Sequence, residues 1–399
     1  MQEEKFPYID RLDETVLDEA ILRFGTPTYV FDVEQAKKRA RAFRGIIGQA
    51  ADLCYAMKAN PFLVRAMAEE VNRIEVCSMG EFRICKQKEI PAEKLLISGV
   101  MKDRDDLWEI LETYGNRCHY TIESLNQYAI LNEWARSSGK KVPVYLRLTS
   151  GNQFGMDEET LTNIVELEQD KDLLEICGIH YFSGTQKKRK KTLEELTYLD
   201  EVFARLKEKT GYQVTELEYG PGLAVPYFAR QADERFETLE AIADALAKMQ
   251  WQGKVTLEMG RAFVADCGYY ITTVKDTKRS GDQNYCIIDG GMHQVNYDGQ
   301  IRGMYQPKLT IRPQGARGIY QNWTICGELC TGNDILVQNI KIDDLRVGST
   351  IIFENTGAYA VTEGMALFLS HVLPAVVLYD PVGGFTQVRA RRETYVWNS

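Results

Sequence analysis

The sequence has no Cys-x-x-Cys pair, no apolar run long enough to cross a bilayer and no excess of positive charge. Its nine cysteines are odd in number and scattered, and Cys54, Cys177, Cys286 and Cys326 fall inside apolar, strand-like runs. That pattern does not read as a disulfide framework, and reduced thiols in a cytoplasmic protein are expected. The four histidines, His119, His180, His293 and His371, show no metal-ligand spacing, so no metal site is expected. With 48 Lys and Arg against 57 Asp and Glu, the formal net charge is −9 and the pI near 5.3. Such a balance disfavours a general nucleic-acid-binding role, and the longest basic run, Lys187–Lys191, reads as a solvated loop or helix start. No stretch reads as a secretory signal or a membrane span, so no membrane partner is expected.

What is present is a long chain with a regular alternation. At 399 residues it exceeds what one hydrophobic core usually organises, which predicts two domains. From about Thr28, nine short apolar runs (TYVFDV, ADLCYAM, RIEVCS, KLLISGV, HYTIE, VPVYLRL, ICGIHYF, TELEYG and VTLEM) alternate with amphipathic segments. The segments include Glu34–Ile47, Leu63–Val71, Met79–Lys88, Asp103–Tyr114 and Thr192–Thr210. This predicts parallel strands with crossover helices, closed into a (β/α)8 barrel over residues 28–265 with its chemistry at the C-terminal strand ends. After about Ala265 short strand-like runs separated by Gly, Asn, Asp and Pro take over, from Tyr269–Lys275 to Val376–Tyr379. Residues 1–27 and 266–399 are therefore expected to form a mostly antiparallel β domain, with Gly357–Ser370 as its one helical stretch.

Chemistry-bearing residues stand at the ends of several of these runs. In Ala51–Pro61, Leu53 to Met57 reads as a buried strand, Asn60-Pro61 forces a turn, and Lys58 is left at the rim. A lysine there is either a desolvated amine able to act as a nucleophile or a side chain whose stem packs on the strand while its head reaches water. Glu258 ends the run VTLE and opens Glu258-Met259-Gly260-Arg261. Tyr219-Gly220-Pro221-Gly222-Leu223 offers small residues whose amides can approach an anion, although Pro221 brings no N–H. Read alone, Glu258–Arg261 is more readily a surface turn with a salt bridge, and Tyr219–Leu223 is as readily a plain turn between strand and helix.

Together with three further segments these motifs resemble, in order along the chain, the fold-type III pyridoxal-phosphate enzymes of the diaminopimelate and ornithine decarboxylase superfamily. The segments are Gly178–Gln186 (GIHYFSGTQ), Gly327–Asp334 (GELCTGND) and Gly357-Ala358-Tyr359. Asn152–Asp157, Ala224–Phe228 and Asp289–His293 bring the chain nearest to the branch with the carrier-protein-tethered glutamate decarboxylase and the siderophore-pathway decarboxylases. The resemblance implies an alanine-racemase-like barrel, pyridoxal 5'-phosphate as cofactor, and a homodimer with shared active sites. It implies Lys58 as the Schiff-base lysine, Glu258 as partner of the pyridinium nitrogen, and His180, Phe182, Thr185, Gly220, Gly222, Gly260, Arg261 and Tyr359 around the cofactor. Phe182 stands where the family has a stacking histidine, and an aromatic face serves there too. Cys330 is implied to come from the partner subunit and to protonate the carbon left when carbon dioxide departs.

Arg147, Arg261 and Arg302 are expected to meet the substrate carboxylate or the cofactor phosphate. In the diaminopimelate and ornithine enzymes an acidic residue follows the cysteine and holds the substrate's distal ammonium; here that position is Thr331. A neutral hydroxyl cannot offset the desolvation of an ammonium as a carboxylate can. The expected activity is therefore decarboxylation of an α-amino acid with a neutral, acidic or conjugated side chain, free or delivered on a carrier. Three other readings stay open: a decarboxylase of diaminopimelate or another basic amino acid, an amino-acid racemase, and a non-catalytic regulatory homologue.

Overall fold

The computed structural model describes residues 11–313 and 318–399. The chain divides into two compact units. One comprises Ala40–Ala224 and Glu234–Ala262; the other takes, of the described residues, 11–39, Val225–Asp233 and those from Phe263 onward.

The first unit is a closed barrel of eight parallel strands: Asp52–Ala56, Arg73–Val76, Leu95–Ile97, His119–Ile122, Val142–Arg147, Leu174–Phe182, Glu216–Gly220 and Lys254–Met259. It closes where Asp52–Ala56 pairs with Lys254–Met259, with Cys54 opposite Glu258. Strands covered on both faces need apolar residues at nearly every position, and seven of these eight are buried almost throughout, the exception being the first half of Leu174–Phe182. Side-chain caps start several of the crossover helices: Ser78 accepts from the Glu81 amide, Asp103 from Asp105, Ser124 from Gln127 and Asp157 from Thr160. Each cap satisfies an amide that the helix itself leaves without a partner.

The second unit is built on a nine-stranded, mostly antiparallel sheet. Its spine is the long strand Gly268–Ser280, whose first half pairs with Thr28–Asp32 and Thr350–Glu354. Beyond an irregularity between Val274 and Asp276, the second half pairs with Gln283–Ile288. Leu12, Leu17, Ala20, Val30, Tyr269, Ile271 and Ile352 form one core cluster, with the helix Glu14–Phe24 contributing Leu17 and Ala20.

Two expectations are corrected here. The run TYVFDV was read as the first barrel strand, but Thr28–Asp32 lies in the β unit, antiparallel to Gly268–Ser280 and parallel to Ala375–Asp380. The barrel proper starts at Asp52, because eight later strands already close it. All five residues of Thr28–Asp32 are buried, so nothing in their periodicity separates a barrel strand from the centre of another sheet. Gly357–Ser370 is not a helix: it runs through turns and ends in a single 3-10 turn, Phe368–Ser370. Positive φ at Tyr359 (65°) and Leu369 (58°) breaks any helical path. Among the described residues no helix is long and apolar enough to cross a membrane.

Candidate active site

Each strand end of the barrel unit, taken in turn, supplies a polar group. Lys58 lies in the 3-10 turn Met57–Ala59, just past Asp52–Ala56. Its Nζ sits 2.7 Å and 3.1 Å from the two oxygens of Glu75, on the neighbouring strand. Cys77 adds its sulfur 3.5 Å from the same nitrogen and 3.0 Å from Glu75 Oε1. Burial, reinforced by the Glu75 charge, pushes the Cys77 thiol well above its ordinary pKa, so it stays a thiol at neutral pH. The Lys58 side chain remains 37% exposed, so an incoming group can reach a nitrogen whose charge the carboxylate balances.

Across the barrel, His180 is fully buried and its Nε2 lies 3.0 Å from Glu258 Oε2. Burial first, then the Arg147 cation, lowers the His180 pKa to about 3, so the ring is neutral. A neutral ring beside a carboxylate donates from Nε2, which leaves Nδ1 as the lone-pair nitrogen, and that atom has no hydrogen-bond partner among the described residues. Arg147, buried at its own strand end, donates to Glu123 Oε1 at 3.0 Å and lies over the Phe154 ring. Lys102 is buried beside them and donates to Gly99 O, Thr121 Oγ1 and Gln127 Oε1 at 2.7–3.0 Å, with Glu123 at 3.8 Å. Burial lowers its pKa to about 8. Lower in the barrel, Arg73 donates to Glu218 and to Tyr145 at 2.6 and 2.8 Å. Burial outweighs that pairing and raises the Glu218 carboxyl to about 7.

The loops after Leu174–Phe182 and Glu216–Gly220 are brought together by backbone. The Lys187 amide donates to the Gly222 carbonyl at 2.9 Å. Gly222 has φ +60°, and a Cβ on it would stand 2.2 Å from the Gly184 carbonyl oxygen, so only glycine fits where the two loops touch. Gly220 faces Phe182 across the strand pair, and a Cβ there would meet the ring at 2.4 Å. Phe182 thus packs sideways on its neighbour. Thr185 is exposed on the same loop, and Gly260 lies where an added Cβ would be 2.9 Å from the Ala56 carbonyl oxygen.

The other expected residues belong to the β unit. Cys330 is the exposed one of the nine cysteines and sits on the turn 327–334 with Thr331. Asp334 holds that turn, accepting from the amides of Met292 and Leu329 at 2.7 and 2.9 Å. Glu328 lies 3.4 Å from both His293 and His371. Tyr359 is half-buried at a positive-φ position, and Arg302 is exposed on a turn.

Residues 33–265 match the sequence model of one family, described as pyridoxal-dependent decarboxylase, pyridoxal binding domain. The chain belongs to the pyridoxal-dependent decarboxylases. It is a pyridoxal-phosphate-dependent amino-acid decarboxylase, a carboxy-lyase, and the racemase and regulator readings fall away. The chain is 26% identical to the L-glutamyl-[BtrI acyl-carrier protein] decarboxylase of Niallia circulans over 92% of both chains. It is 27% identical to the diaminopimelate decarboxylase of Aquifex aeolicus over 88% of both. A solved protein from Aquifex aeolicus superposes with a TM-score of 0.83 at 26% identity, over 96% of this chain and 93% of the other.

The barrel residues of this decarboxylase fit the cofactor on three structural counts: an amine at a strand end with an exposed head, a buried carboxylate held by a neutral histidine, and a glycine turn that admits no side chain. Sequence reasoning did not single out Glu75, Cys77, Lys102 or Glu123. The signal was present in RIEVCS and HYTIE, where an acidic residue ends or interrupts an otherwise apolar run.

Proposed function

We propose that this decarboxylase acts on an α-amino acid whose side chain is neutral, acidic or conjugated, free or tethered to a carrier, and that two copies of the chain share their active sites. The observation carrying this reading is the state of the turn 327–334. Thr331 follows Cys330 with no charge to offer, Asp334 is held by two amides, and Glu328 lies 3.4 Å from each of two histidines. A substrate's distal ammonium would find no carboxylate at the position that follows the cysteine, and leaving it unpaired on desolvation is costly. The Niallia circulans relative, by its name, acts on a glutamyl group carried by a protein, which supports the same class.

In this reading Lys58 holds the cofactor, with Glu75 balancing its charge until then. Glu258, fixed by His180, meets the ring nitrogen; Thr185, Gly220, Gly222, Gly260 and Arg261 receive the phosphate; Phe182 packs beside the cofactor, and Tyr359 approaches it from the other copy. Bound pyridoxal phosphate supplies the sink for the electron pair left on the α-carbon when carbon dioxide departs. Cys330, exposed on its turn, enters the other copy's site and returns the proton to that carbon. Arg147 and Arg261 are the groups for the substrate carboxylate, and Glu123 fixes the first of them.

A second reading, decarboxylation of diaminopimelate or another basic amino acid, has the Aquifex aeolicus relative in its favour. Carbon dioxide release over a panel of free, acylated and carrier-linked amino acids separates the two. Release is expected from an acidic or conjugated member. A kcat/KM for meso-diaminopimelate above that of every acidic and conjugated compound would overturn the proposal.

A further inference from the structure

Beneath the glycine turn of the barrel unit lies a buried ion pair that the reading above does not use. Lys187 has a side chain only 7% exposed, and its Nζ lies 2.5 Å from Glu195 Oε2. The same nitrogen donates to Ser183 Oγ at 3.1 Å and to the Gly220 carbonyl at 3.2 Å. Tyr219 closes the group, its hydroxyl 2.8 Å from Glu195 Oε2 and its ring 5.3 Å from the Lys187 ammonium. Ser183 donates to the other oxygen of Glu195.

Burying a lysine and a glutamate costs more than a surface pair returns, so a stability role alone does not account for them well. Their position suggests another role. Lys187 is tied to both sides of Pro221: its ammonium holds the carbonyl of Gly220, and its backbone amide holds the carbonyl of Gly222. Its Cε also fills the space that a side chain at Gly222 would enter, 2.7 Å from where the Cβ would be. Pro221 has no N–H, so this turn offers an anion one amide fewer than a turn of three glycines would. The remaining amides serve an anion only if the turn keeps its shape.

We propose that Lys187 is a positioning residue for the cofactor's phosphate, clamping the turn Gly220–Gly222 from below, with Glu195 and Ser183 holding its ammonium in place. This rests on the reading that the phosphate lies over that turn, and the test separates the two claims.

The full chain, stripped of cofactor with hydroxylamine, is titrated with pyridoxal 5'-phosphate and, separately, with pyridoxal, which lacks the phosphate. Binding is read from the visible absorbance. Lys187→Met should lower the preference for the phosphorylated form by about tenfold or more, the scale of one close charge and the geometry it fixes, while pyridoxal binding changes less than about twofold. Because Lys187→Met leaves Glu195 buried without its cation, the double variant Lys187→Met/Glu195→Gln is run as well and should show the same loss of preference. Thr185→Ala is the control for the site. If Thr185→Ala lowers the preference and neither Lys187 variant does, the clamp is wrong and the phosphate site stands. If none of the three changes it, the phosphate lies elsewhere and both claims fail. Equal weakening of both ligands by the Lys187 variants would make the pair a general scaffold and overturn the proposal.

Discussion

The two units hold their chemical residues in different ways. In the barrel unit four such side chains are engaged from within: Lys58 by Glu75, Glu258 by His180, Arg147 by Glu123, Lys187 by Glu195. In the β unit Cys330 lies exposed on a turn that the Asp334 carboxylate holds together. Preorganised partners suit groups that must keep one geometry around a cofactor. A thiol carried on an exposed turn suits a group that meets its target only when something else comes to it. The comparison divides the expected consequences: substitution at Lys58 should destroy cofactor attachment, and substitution at Cys330 or Thr331 should leave it intact while changing rate or selectivity.

The sharpest way to break that division is to set Lys58→Ala beside Cys330→Ala. Lys58→Ala should abolish the visible absorbance of the lysine-bound cofactor and lower carbon dioxide release by at least about 10³-fold, since the covalent route is gone. Cys330→Ala should keep the absorbance and lower release by about 10²-fold, the usual worth of a positioned proton donor. Absorption spectra and a carbon dioxide assay on the same preparations decide. Loss of the absorbance in Cys330→Ala would mean that the β unit takes part in holding the cofactor.

That division also marks what was legible in the sequence. Strand-end chemistry could be read because a lysine or glutamate at the edge of an apolar run is rare and follows the rule that barrel sites form at C-terminal strand ends. The helices Arg104–Tyr114 and Met79–Gln87 were legible from their period, and Ser78 and Asp103 show why their starts were clear. Thr28–Asp32 was misplaced because a fully buried strand has no exposed face to betray which sheet it joins. Glu75 and Glu123 stand out as acidic positions in apolar runs, but what they pair with, and the place of Lys102 beside them, were not legible. Each matters through a neighbour on a different strand, 17 residues away for the Lys58–Glu75 pair and 24 for Arg147–Glu123. One-dimensional spacing does not carry such pairings. In Gly357–Ser370 the helical reading lost to backbone, because the positive φ at Tyr359 and Leu369 answers to tertiary packing and leaves no local pattern.

A smaller effect tests selectivity on the β-unit side. Thr331→Asp places a carboxylate beside Cys330. It should raise kcat/KM for amino acids with a distal ammonium by about tenfold relative to acidic ones, the scale of one charge-assisted hydrogen bond. Cofactor absorbance should not change. An unaltered ratio between basic and acidic substrates would mean that Thr331 does not face the substrate's far end.

The smallest effect lies within the barrel unit and concerns protons. His180 keeps its neutral form because burial and the Arg147 cation lower its pKa from 6.5 to about 3. As pH falls from about 6.5 towards 4.5 the unfolded chain takes up a proton at this position and the folded chain does not. The stability that this histidine contributes above pH 6.5 is therefore lost progressively on acidification. Glu218 works in the opposite direction: burial raises its carboxyl to about 7, so the folded state binds its proton first and gains stability as pH drops from about 7 towards 4.5. The net slope of the wild type thus mixes opposed contributions, and a variant is needed to isolate one. His180→Gln can still present an amide to Glu258 but cannot titrate. In urea unfolding of the cofactor-free protein between pH 7.5 and 4.5, the wild type should lose more stability per pH unit than the variant. The difference should approach one proton, about 1.4 kcal/mol per pH unit. Parallel curves would show that the folded state admits a proton at His180, and the histidine would then hold Glu258 as a charged pair, with the barrel less tightly closed around it than its burial implies.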